Sequence, residues 1–269
     1  VDERLRRLVR PGVSLGGARP KSLIEIDGEP WLVKFSEGED LDTELIEHAT
    51  MSLAARCGID VAPTRALRVG TRHAVAIRRF DRRPGGRLHA ISAKVALQAA
   101  GEELGYPHLA QLLRRMAPAG RIAQQQAQLF RRMVFNILMD NTDDHEKNHA
   151  LLREPDGRWQ LAPAFDVLPT AQGLGYQQLR VGSDGHASTL ANALSECAAF
   201  GLRLPAARAI VKELCRAVEG WQAGRAGAAL KIPSCWRMQR CSRSLAQVMR
   251  KEKLRLGRPP TMSKSRISH

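Results

Sequence analysis

The stretch Asn141-Thr142-Asp143-Asp144-His145-Glu146-Lys147-Asn148 places eight polar residues between an apolar helical segment and a second apolar run. Charged side chains in apolar surroundings are costly unless they are paired or bind an ion. We therefore expect this polar stretch to be the functional centre of the chain, with the fold arranged around it.

Two patterns of known chemistry fit this stretch. Asp143 and Asn148 have the spacing of the base and the magnesium-binding asparagine in a protein-kinase catalytic loop. The overlapping run His145–His149 fits the H-E-x-x-H signature of zinc proteases, which must lie within a helix so that both histidines face one metal. Here a strand is predicted directly after His149 and no third ligand is evident. The kinase pattern is therefore favoured, and a zinc metalloprotease remains a minor alternative.

Composition bounds the class of protein. The chain has 269 residues, of which 43% are hydrophobic, so it can form one large domain or two lobes with a real core. Its apolar runs fall short of the roughly 18 residues that a membrane helix requires, and it opens without a signal-peptide pattern. The five cysteines show no C-x-x-C spacing, which indicates reduced thiols. These features predict a cytoplasmic protein.

The net charge of +15 is unevenly distributed. From Arg237 to His269 the sequence holds ten Lys/Arg residues and one acid. Such a tail can bind nucleic acid or another acidic surface, or it can be a solvated, poorly ordered terminus. We favour the second interpretation.

The N-terminal part predicts a small sheet beside a loop of small residues. Ser14-Leu15-Gly16-Gly17-Ala18-Arg19-Pro20-Lys21 is followed by a strand over Ser22–Ile26, a turn at Asp27-Gly28 and a return strand over Trp31–Phe35. Exposed backbone N–H groups in such a loop can bind phosphate. Lys34 lies inside the apolar return strand, where an ammonium group needs a partner.

A partner for this lysine is predicted on the next helix. Asp42 is expected to cap a helix over Thr43–Arg56. Kinases hold the α- and β-phosphates with a strand lysine that pairs with a helix glutamate. We choose Glu47 rather than Glu44 for this role.

The remainder of the chain is predicted to be mostly helical. Strands over 64–69 and 73–77 complete the small sheet, and Pro84-Gly85-Gly86 interrupts the chain. Helices are predicted over 108–116, 122–139, 188–200 and 205–222. A hairpin of strands over 150–152 and 159–161 then carries Asp166 back towards Asp143 and Asn148, so that acids and an amide suited to magnesium meet.

In these motifs the chain resembles the HipA-like serine/threonine kinases, the toxins of type II toxin–antitoxin modules, over roughly 14–221. Residues 141–148 resemble the D-x-H-x-K-N catalytic loop of that family, and 161–166 resemble its counterpart of the kinase D-F-G. Residues 14–21 resemble its phosphate loop, and Arg79-Phe80-Asp81-Arg82 resembles its hinge. The chain departs from the family pattern at Arg78, where an acid is usual, and at His149, where an apolar residue is usual.

The resemblance implies a role for each matched residue. The catalytic residues would be Asp143, His145 and Lys147. The magnesium ligands would be Asn148 and Asp166. The residues around ATP would be Ser14, Gly16, Gly17, Lys21, Lys34, Glu47, Arg79 and Phe80. Ser14 would also be an autophosphorylation site, and a phosphate there, with a charge of about −1.5 to −2, should expel the loop and switch activity off.

The fold implied is an α+β, two-lobed protein-kinase-like fold. It would have a small β-rich N-lobe over 1–83, a larger helical C-lobe over 84–231 and a basic tail over 232–269. The expected partners are a protein substrate such as a translation factor, a HipB-like antitoxin that links the chain indirectly to DNA, and a partner chain supplying the family's small N-terminal domain, which we expect to be missing here. The alternative is a catalytically weak scaffold that binds a DNA-binding antitoxin.

Overall fold

The computed structural model describes residues 20–37, 41–83, 85–170 and 172–223. The strands are β1 Lys21–Ile26, β2 Glu29–Phe35, β3 Thr64–Val69, β4 Arg72–Arg78, β5 Arg82–Arg83, β6 Gly86–Arg87, β7 Ala90–Ser92, β8 Ala150–Arg153 and β9 Trp159–Leu161. The helices are α1 Thr43–Arg56, α2 Ala93–Ala99, α3 Tyr106–Met116, α4 Ile122–Met139, α5 Leu190–Ser195 and α6 Leu204–Ala223, with 3-10 turns at Ala119–Arg121 and Cys197–Phe200. The predicted tail, 232–269, lies outside the described residues.

An antiparallel four-stranded sheet in the order β1-β2-β4-β3 forms the small lobe. Asp27 and Gly28 join β1 to β2 with φ angles of 55° and 76°, the left-handed conformation that two-residue hairpin turns require. Trp31 and Val33 are buried on one face of β2. Because side chains alternate along a strand, Lys34 points to the opposite face, where α1 packs against β3 and β4.

Helix α1 begins and ends as the sequence predicts, but its N-terminus is held differently. Asp42 occupies the N-cap position without capping the helix through its side chain. Its carboxylate instead bonds Nδ1 of His73 at 2.6 Å, on β4. Asp42 is thus at the predicted cap position, but the predicted side-chain hydrogen bond to the helix is wrong, because His73 bonds the carboxylate instead.

Helix α4 is the centre of the large lobe. Leu129, Phe130 and Met133 are fully buried on it, and α3 and α6 pack against it. The helix ends at Asp140, whose left-handed φ of 54° turns the chain in the manner of a helix C-terminus. The polar stretch that opened the sequence analysis follows at once, so α4 positions it.

A second small sheet, in the order β7-β8-β9, lies beside this turn. Strands β8 and β9 match the predicted hairpin, whereas β7 and the β5–β6 hairpin are too short to be recognised from the sequence. The helix predicted over 188–200 is two pieces, because the chain breaks its helical conformation at Glu196. The carboxylate of Glu196 bonds the guanidinium of Arg180, with Nη1 to Oε2 at 3.0 Å.

One hydrophobic core extends across both lobes. Met51 and Leu53 of α1 and Val75 of β4 belong to the same buried cluster as Phe130 and Phe135 of α4. The mixed α+β, two-lobed architecture predicted from the sequence is confirmed. Among the helices that the structure describes, none is long and apolar enough to cross a membrane.

Candidate active site

Lys34 lies between two carboxylates from different parts of the chain. Its Nζ atom is 2.7 Å from Oε1 of Glu47 on α1 and 2.5 Å from Oδ1 of Asp166, after β9. The side chains of Lys34 and Glu47 are buried. Burial by itself lowers the pKa of Lys34, but the two carboxylates outweigh it and the pKa is raised above its usual 10.5. Lys34 is therefore a fixed, charged group.

Asp166 has both an unusual backbone and a charged environment. Its φ of 58° is left-handed, which is uncommon outside glycine and is characteristic of functional turns. Burial raises its pKa, but the charges of Lys34, Lys21 and His145 lower it below its usual 3.8. Its side chain keeps 41% of its surface exposed. The carboxylate is thus ionised and accessible, as a metal ligand must be.

The stretch 141–149 is an irregular loop, with Asp143 exposed and Asn148 buried. The amide Nδ2 of Asn148 is 3.4 Å from the carbonyl oxygen of Asp143, and its backbone N–H donates to the carbonyl of His145 at 2.9 Å. Asn148 and Phe165 line the same small cavity, so the loop lies against the segment that carries Asp166.

The remaining loop residues predicted to be catalytic differ in environment. His145 is half-buried, and its Nδ1 atom is buried without a hydrogen-bond partner among the described residues. Lys147 is exposed. Glu146 lies 3.4 Å from Nζ of Lys94 on α2. The charge of His145 contributes to lowering the pKa of Asp166, so these two predicted site residues lie near each other.

The predicted hinge residues hold each other in place. Arg79 donates two hydrogen bonds of 2.6 Å to the carboxylate of Asp81. The ring of Phe80 is 5.4 Å from that of Phe165, tilted by 34°. The backbone N–H of Arg79 donates to the carbonyl of Pro30 at 2.9 Å. That N–H is therefore used within the protein, and an adenine here would rely on other groups of the segment.

Only the last two residues of the predicted phosphate loop, Pro20 and Lys21, lie within the described residues. Ser14, Gly16 and Gly17 lie outside the described residues. Lys21 pairs with Lys34 across β1 and β2 and lowers the pKa of Asp166 through its charge. Two lysines are thus directed to the same carboxylate.

A buried polar network under the loop was not predicted. Asp144 accepts hydrogen bonds from the hydroxyl of Tyr106 on α3 and from Nε2 of His149, the latter at 2.9 Å. Asn136 of α4 donates to the Tyr106 oxygen at 3.1 Å. The sequence did carry a signal, because Asn136 is the one polar residue in the apolar run Met133–Met139, and a buried polar residue needs a partner.

The loop conformation also bears on the zinc alternative. His145 and His149 do not lie on a helix, and Nε2 of His149 is bonded to Asp144 in the interior. Within the described ranges no group of three or more His, Cys, Asp or Glu side chains could hold a metal. The H-E-x-x-H match is therefore not a zinc-protease helix.

Taken together, the cleft brings a buried cation and an accessible carboxylate beside a loop with an exposed acid and a buried amide. Carboxylate and amide oxygens suit Mg²⁺, and a lysine at this place can bind phosphate oxygens. The described residues therefore fit a magnesium–nucleotide complex. Asp143 is exposed in the adjoining loop.

Comparisons with known proteins agree with this chemistry. A model of the family described as HipA-like C-terminal domain matches residues 13–221. Putative kinase Y4mE of Sinorhizobium fredii is 30% identical over 186 residues, which are 59% of this chain and 42% of that protein. Putative kinase Y4dM of the same organism is 30% identical over 156 residues, 53% of this chain and 38% of that protein. The chain thus spans less than half the length of these relatives.

Two solved structures share the fold. A chain from the complex of the Shewanella oneidensis MR-1 toxin–antitoxin proteins HipA and HipB with operator DNA matches with a TM-score of 0.67 and 20% identity, over 88% of this chain and 66% of that one. The Helicobacter pylori proinflammatory kinase CtkA matches with a TM-score of 0.59 and 12% identity, over 93% of this chain and 97% of that one. At such identities the similarity establishes a kinase-like fold.

Proposed function

The chain belongs to the family of HipA-like C-terminal domains, and we propose that it is a kinase that transfers the γ-phosphoryl group of ATP to a Ser or Thr hydroxyl of a protein. The observation that carries this proposal is the position of Lys34 between Glu47 and Asp166. A buried lysine with one buried and one accessible carboxylate is the arrangement by which kinases hold nucleotide phosphates next to magnesium.

Each group then has a defined task. Glu47 fixes the ammonium group of Lys34, which binds phosphate oxygens of ATP. Asn148 and Asp166 would hold Mg²⁺, which neutralises charge on the transferring phosphoryl group when bound. Asp143 orients the acceptor hydroxyl and takes its proton. His145 adds a polar group beside Asp166, and Lys147, which is exposed, is assigned to the phosphates or the acceptor.

The nucleotide would be enclosed by the hinge and the phosphate loop. Phe80, whose ring packs against Phe165, borders the adenine, and Arg79 holds this segment in place through Asp81. Lys21 adds positive charge near the phosphates. Ser14, Gly16 and Gly17 supply the loop over them, and Ser14 is the proposed autophosphorylation site.

The decisive experiment is incubation of the purified chain with γ-labelled ATP and Mg²⁺, followed by measurement of label on the chain or on an added protein extract. Asp143→Ala should lower the rate of labelling by about 10² to 10⁴-fold, the range lost with a general base. Its fold should be unchanged because Asp143 is exposed. Asp156→Ala, an exposed acid in the β8–β9 turn, is the matched control and should label normally.

Absence of labelling from the folded, unaltered chain would instead favour a scaffold function. The solved complex of HipA with HipB and DNA is the reason to consider such a function, in which this chain binds a DNA-binding antitoxin. The effect of the Asp143→Ala variant in cells distinguishes the two proposals. A scaffold retains its full biological effect in the Asp143→Ala variant, and a kinase toxin loses it.

A further inference from the structure

The two functional ends of the catalytic loop are each followed by a residue that turns into the protein interior. Asp144 follows Asp143, and His149 follows Asn148. Both are buried, with exposed fractions of 3% and 2%, whereas Asp143 is exposed. Asp143 is therefore presented at the surface, whereas Asp144 and His149 anchor the loop in the interior, and Asn148 is buried beside them.

The two anchoring residues bond each other. Nε2 of His149 is 2.9 Å from Oδ2 of Asp144. Because a carboxylate only accepts, the proton on this bond belongs to the histidine. The bond closes residues 145–148 into a loop, with Asp143 directly before Asp144 and Asn148 as the last residue of the loop.

The closed loop is also fixed to three helices. The Tyr106 hydroxyl of α3 donates to Asp144, and Asn136 of α4 donates to Tyr106. The carbonyl of His149 accepts from the backbone N–H of Ala93 at the start of α2, at 2.7 Å. Burial and then the charge of Asp144 raise the pKa of Tyr106 well above its usual 10, which keeps this hydroxyl a donor.

We propose that Asp144, His149 and Tyr106 form a loop clamp whose function is to position Asp143 and Asn148 for phosphoryl transfer, and this inference rests on the proposed function. The three clamp residues are positioning residues and not catalytic ones, because Asp144 bonds both Tyr106 and His149 in the interior. They act through their chain neighbours. A base and a metal ligand must be held to within a fraction of an ångström, and an irregular loop without such a clamp could not hold them.

The clamp gives a physical reason for the acid and the histidine that follow Asp143 and Asn148 in the sequence. An acid and a histidine in neighbouring apolar surroundings would each be destabilising alone. Their bond pairs the carboxylate of Asp144 with Nε2 of His149, whose Nδ1 atom is buried without a partner among the described residues. The bond ties the position of the proposed base to that of the proposed metal ligand. Replacing Asp144 alone or His149 alone should therefore lower the rate of phosphoryl transfer more than it weakens nucleotide binding.

The test compares two replacements of His149. His149→Gln places an amide N–H near the position of Nε2 and can still donate to Asp144. His149→Phe keeps a ring against Tyr106, which it meets edge-on with 5.4 Å between ring centres, but cannot donate. The maximal rate of label transfer from γ-labelled ATP and the half-saturating ATP concentration are measured for the full chain and both variants.

The expected result is that His149→Phe loses about 10²-fold in maximal rate, the cost of a small misplacement of catalytic groups. Its half-saturating ATP concentration should change much less, because the contacts of Lys34 do not involve the clamp. His149→Gln should recover most of the rate. Equal maximal rates for the Phe variant and the unaltered chain would overturn the proposal.

A second measurement separates failure of the clamp from failure of the proposed function. Amide hydrogen exchange over 141–150 should be about tenfold faster in His149→Phe than in His149→Gln, equivalent to one hydrogen bond to a charged group. If the unaltered chain transfers no phosphoryl group, the proposed function is wrong. The comparison of amide hydrogen exchange in the two variants still tests whether the clamp holds the loop. Identical exchange in the two variants would show that this bond does not hold the loop.

Discussion

At the scale of single residues, the position of Lys34 determines what the cleft can bind. A lysine buried alone would lose its proton, because burial disfavours the charged form. Glu47 and Asp166 reverse this tendency and raise its pKa. The charge is therefore held in place before any ligand arrives, so binding a phosphate does not require the lysine to be ordered.

Removing the buried partner of Lys34 should weaken both the fold and the site. We expect Glu47→Gln to lower the free energy of unfolding by about 2 kcal/mol, the value of a hydrogen bond to a charged group, and to reduce label transfer. Urea denaturation measures the first effect and γ-labelled ATP the second.

The matched control makes the same acid-to-amide change in an exposed pair. Asp27 bonds Arg65 at 2.7 Å, but its side chain is 71% exposed. Asp27→Asn should change the free energy of unfolding by less than about 1 kcal/mol, as for surface ion pairs, and should not change transfer. Equal losses in both variants would mean that burial does not strengthen the Lys34 pair.

The pH dependence of stability should report the same groups. The pKa of Asp166 is lowered from 3.8 in the folded state, so its stabilising contribution is present above that value and is lost as pH falls below it. The pKa of Lys34 is raised from 10.5, so its contribution is present below that value and is lost as pH rises through the higher folded pKa.

The variant Lys34→Met isolates these contributions. Without the lysine, the pKa of Asp166 should move upward, so the loss of stability on acidification should be smaller and should end at a higher pH than in the unaltered chain. Thermal unfolding measured across the acidic range gives this comparison. Parallel curves for the two proteins would show that Lys34 does not act on Asp166 in solution.

At the scale of secondary-structure elements, helix α4 and the turn after it carry the catalytic loop. The left-handed Asp140 ends the helix, and its carbonyl accepts hydrogen bonds from the backbone and hydroxyl of Thr170 at 3.1 and 2.8 Å. Thr170 in turn bonds the hydroxyl of Thr142 at 2.6 Å. The segment after Asp166 is thereby fixed to the beginning of the loop, which explains how two distant stretches form one site.

The segment after Asp166 continues to Gly182, which lies against α5. This contact depends on the absence of a side chain at Gly182. A Cβ atom there would overlap the carbonyl oxygen of Asn192, which is backbone and cannot move aside. We expect Gly182→Ala to lower the free energy of unfolding by about 1 to 3 kcal/mol, the usual cost of overpacking. Denaturant unfolding provides the measurement.

Gly220 provides the control, since it lies exposed in α6 with nothing within 4 Å of the added atom. Gly220→Ala should stabilise the chain by about 0.5 to 1 kcal/mol, because alanine loses less backbone freedom in a helix. A Gly182→Ala protein as stable as the original would show that α5 can shift to make room.

At the scale of the whole molecule, the two lobes form one continuous structure. The buried cluster of α1 and β4 residues continues into α4, and the backbone N–H of Ala62 donates to the carbonyl of Ala164 at 2.9 Å. The loop after α1 is thus paired to the segment just before Asp166. A ligand that binds Lys34 and Asp166 together should therefore stabilise both lobes.

This leads to a prediction for nucleotide binding. ATP with Mg²⁺, present at about 100 times its Kd, should raise the free energy of unfolding by about 2.7 kcal/mol through mass action. Adding EDTA should remove most of this gain, and Asp166→Asn should reduce it. A thermal shift assay measures the effect. Equal stabilisation by ATP with and without Mg²⁺ would contradict the assignment of Asn148 and Asp166 as metal ligands.

The sequence by itself determined the longer strands and helices and the order of the chemical groups along the chain. Alternation in β2, the 3-4 spacing in α4 and the polar stretch after it are local patterns, because side-chain periodicity follows from backbone geometry over a few residues. Those patterns were sufficient to place Lys34 on a strand, Glu47 on a helix and Asp143 in a loop.

Only the tertiary structure decided which groups meet. The carboxylate of Asp42 bonds His73 rather than its own helix, and Asp144 joins Tyr106 and His149 beneath the catalytic loop. The contacts of Asp42 with His73 and of Asp144 with Tyr106 link positions far apart in the chain, and they depend on how the elements pack around a common core. Hydrogen-bond partners at such separations are chosen by packing and burial, which no local pattern records.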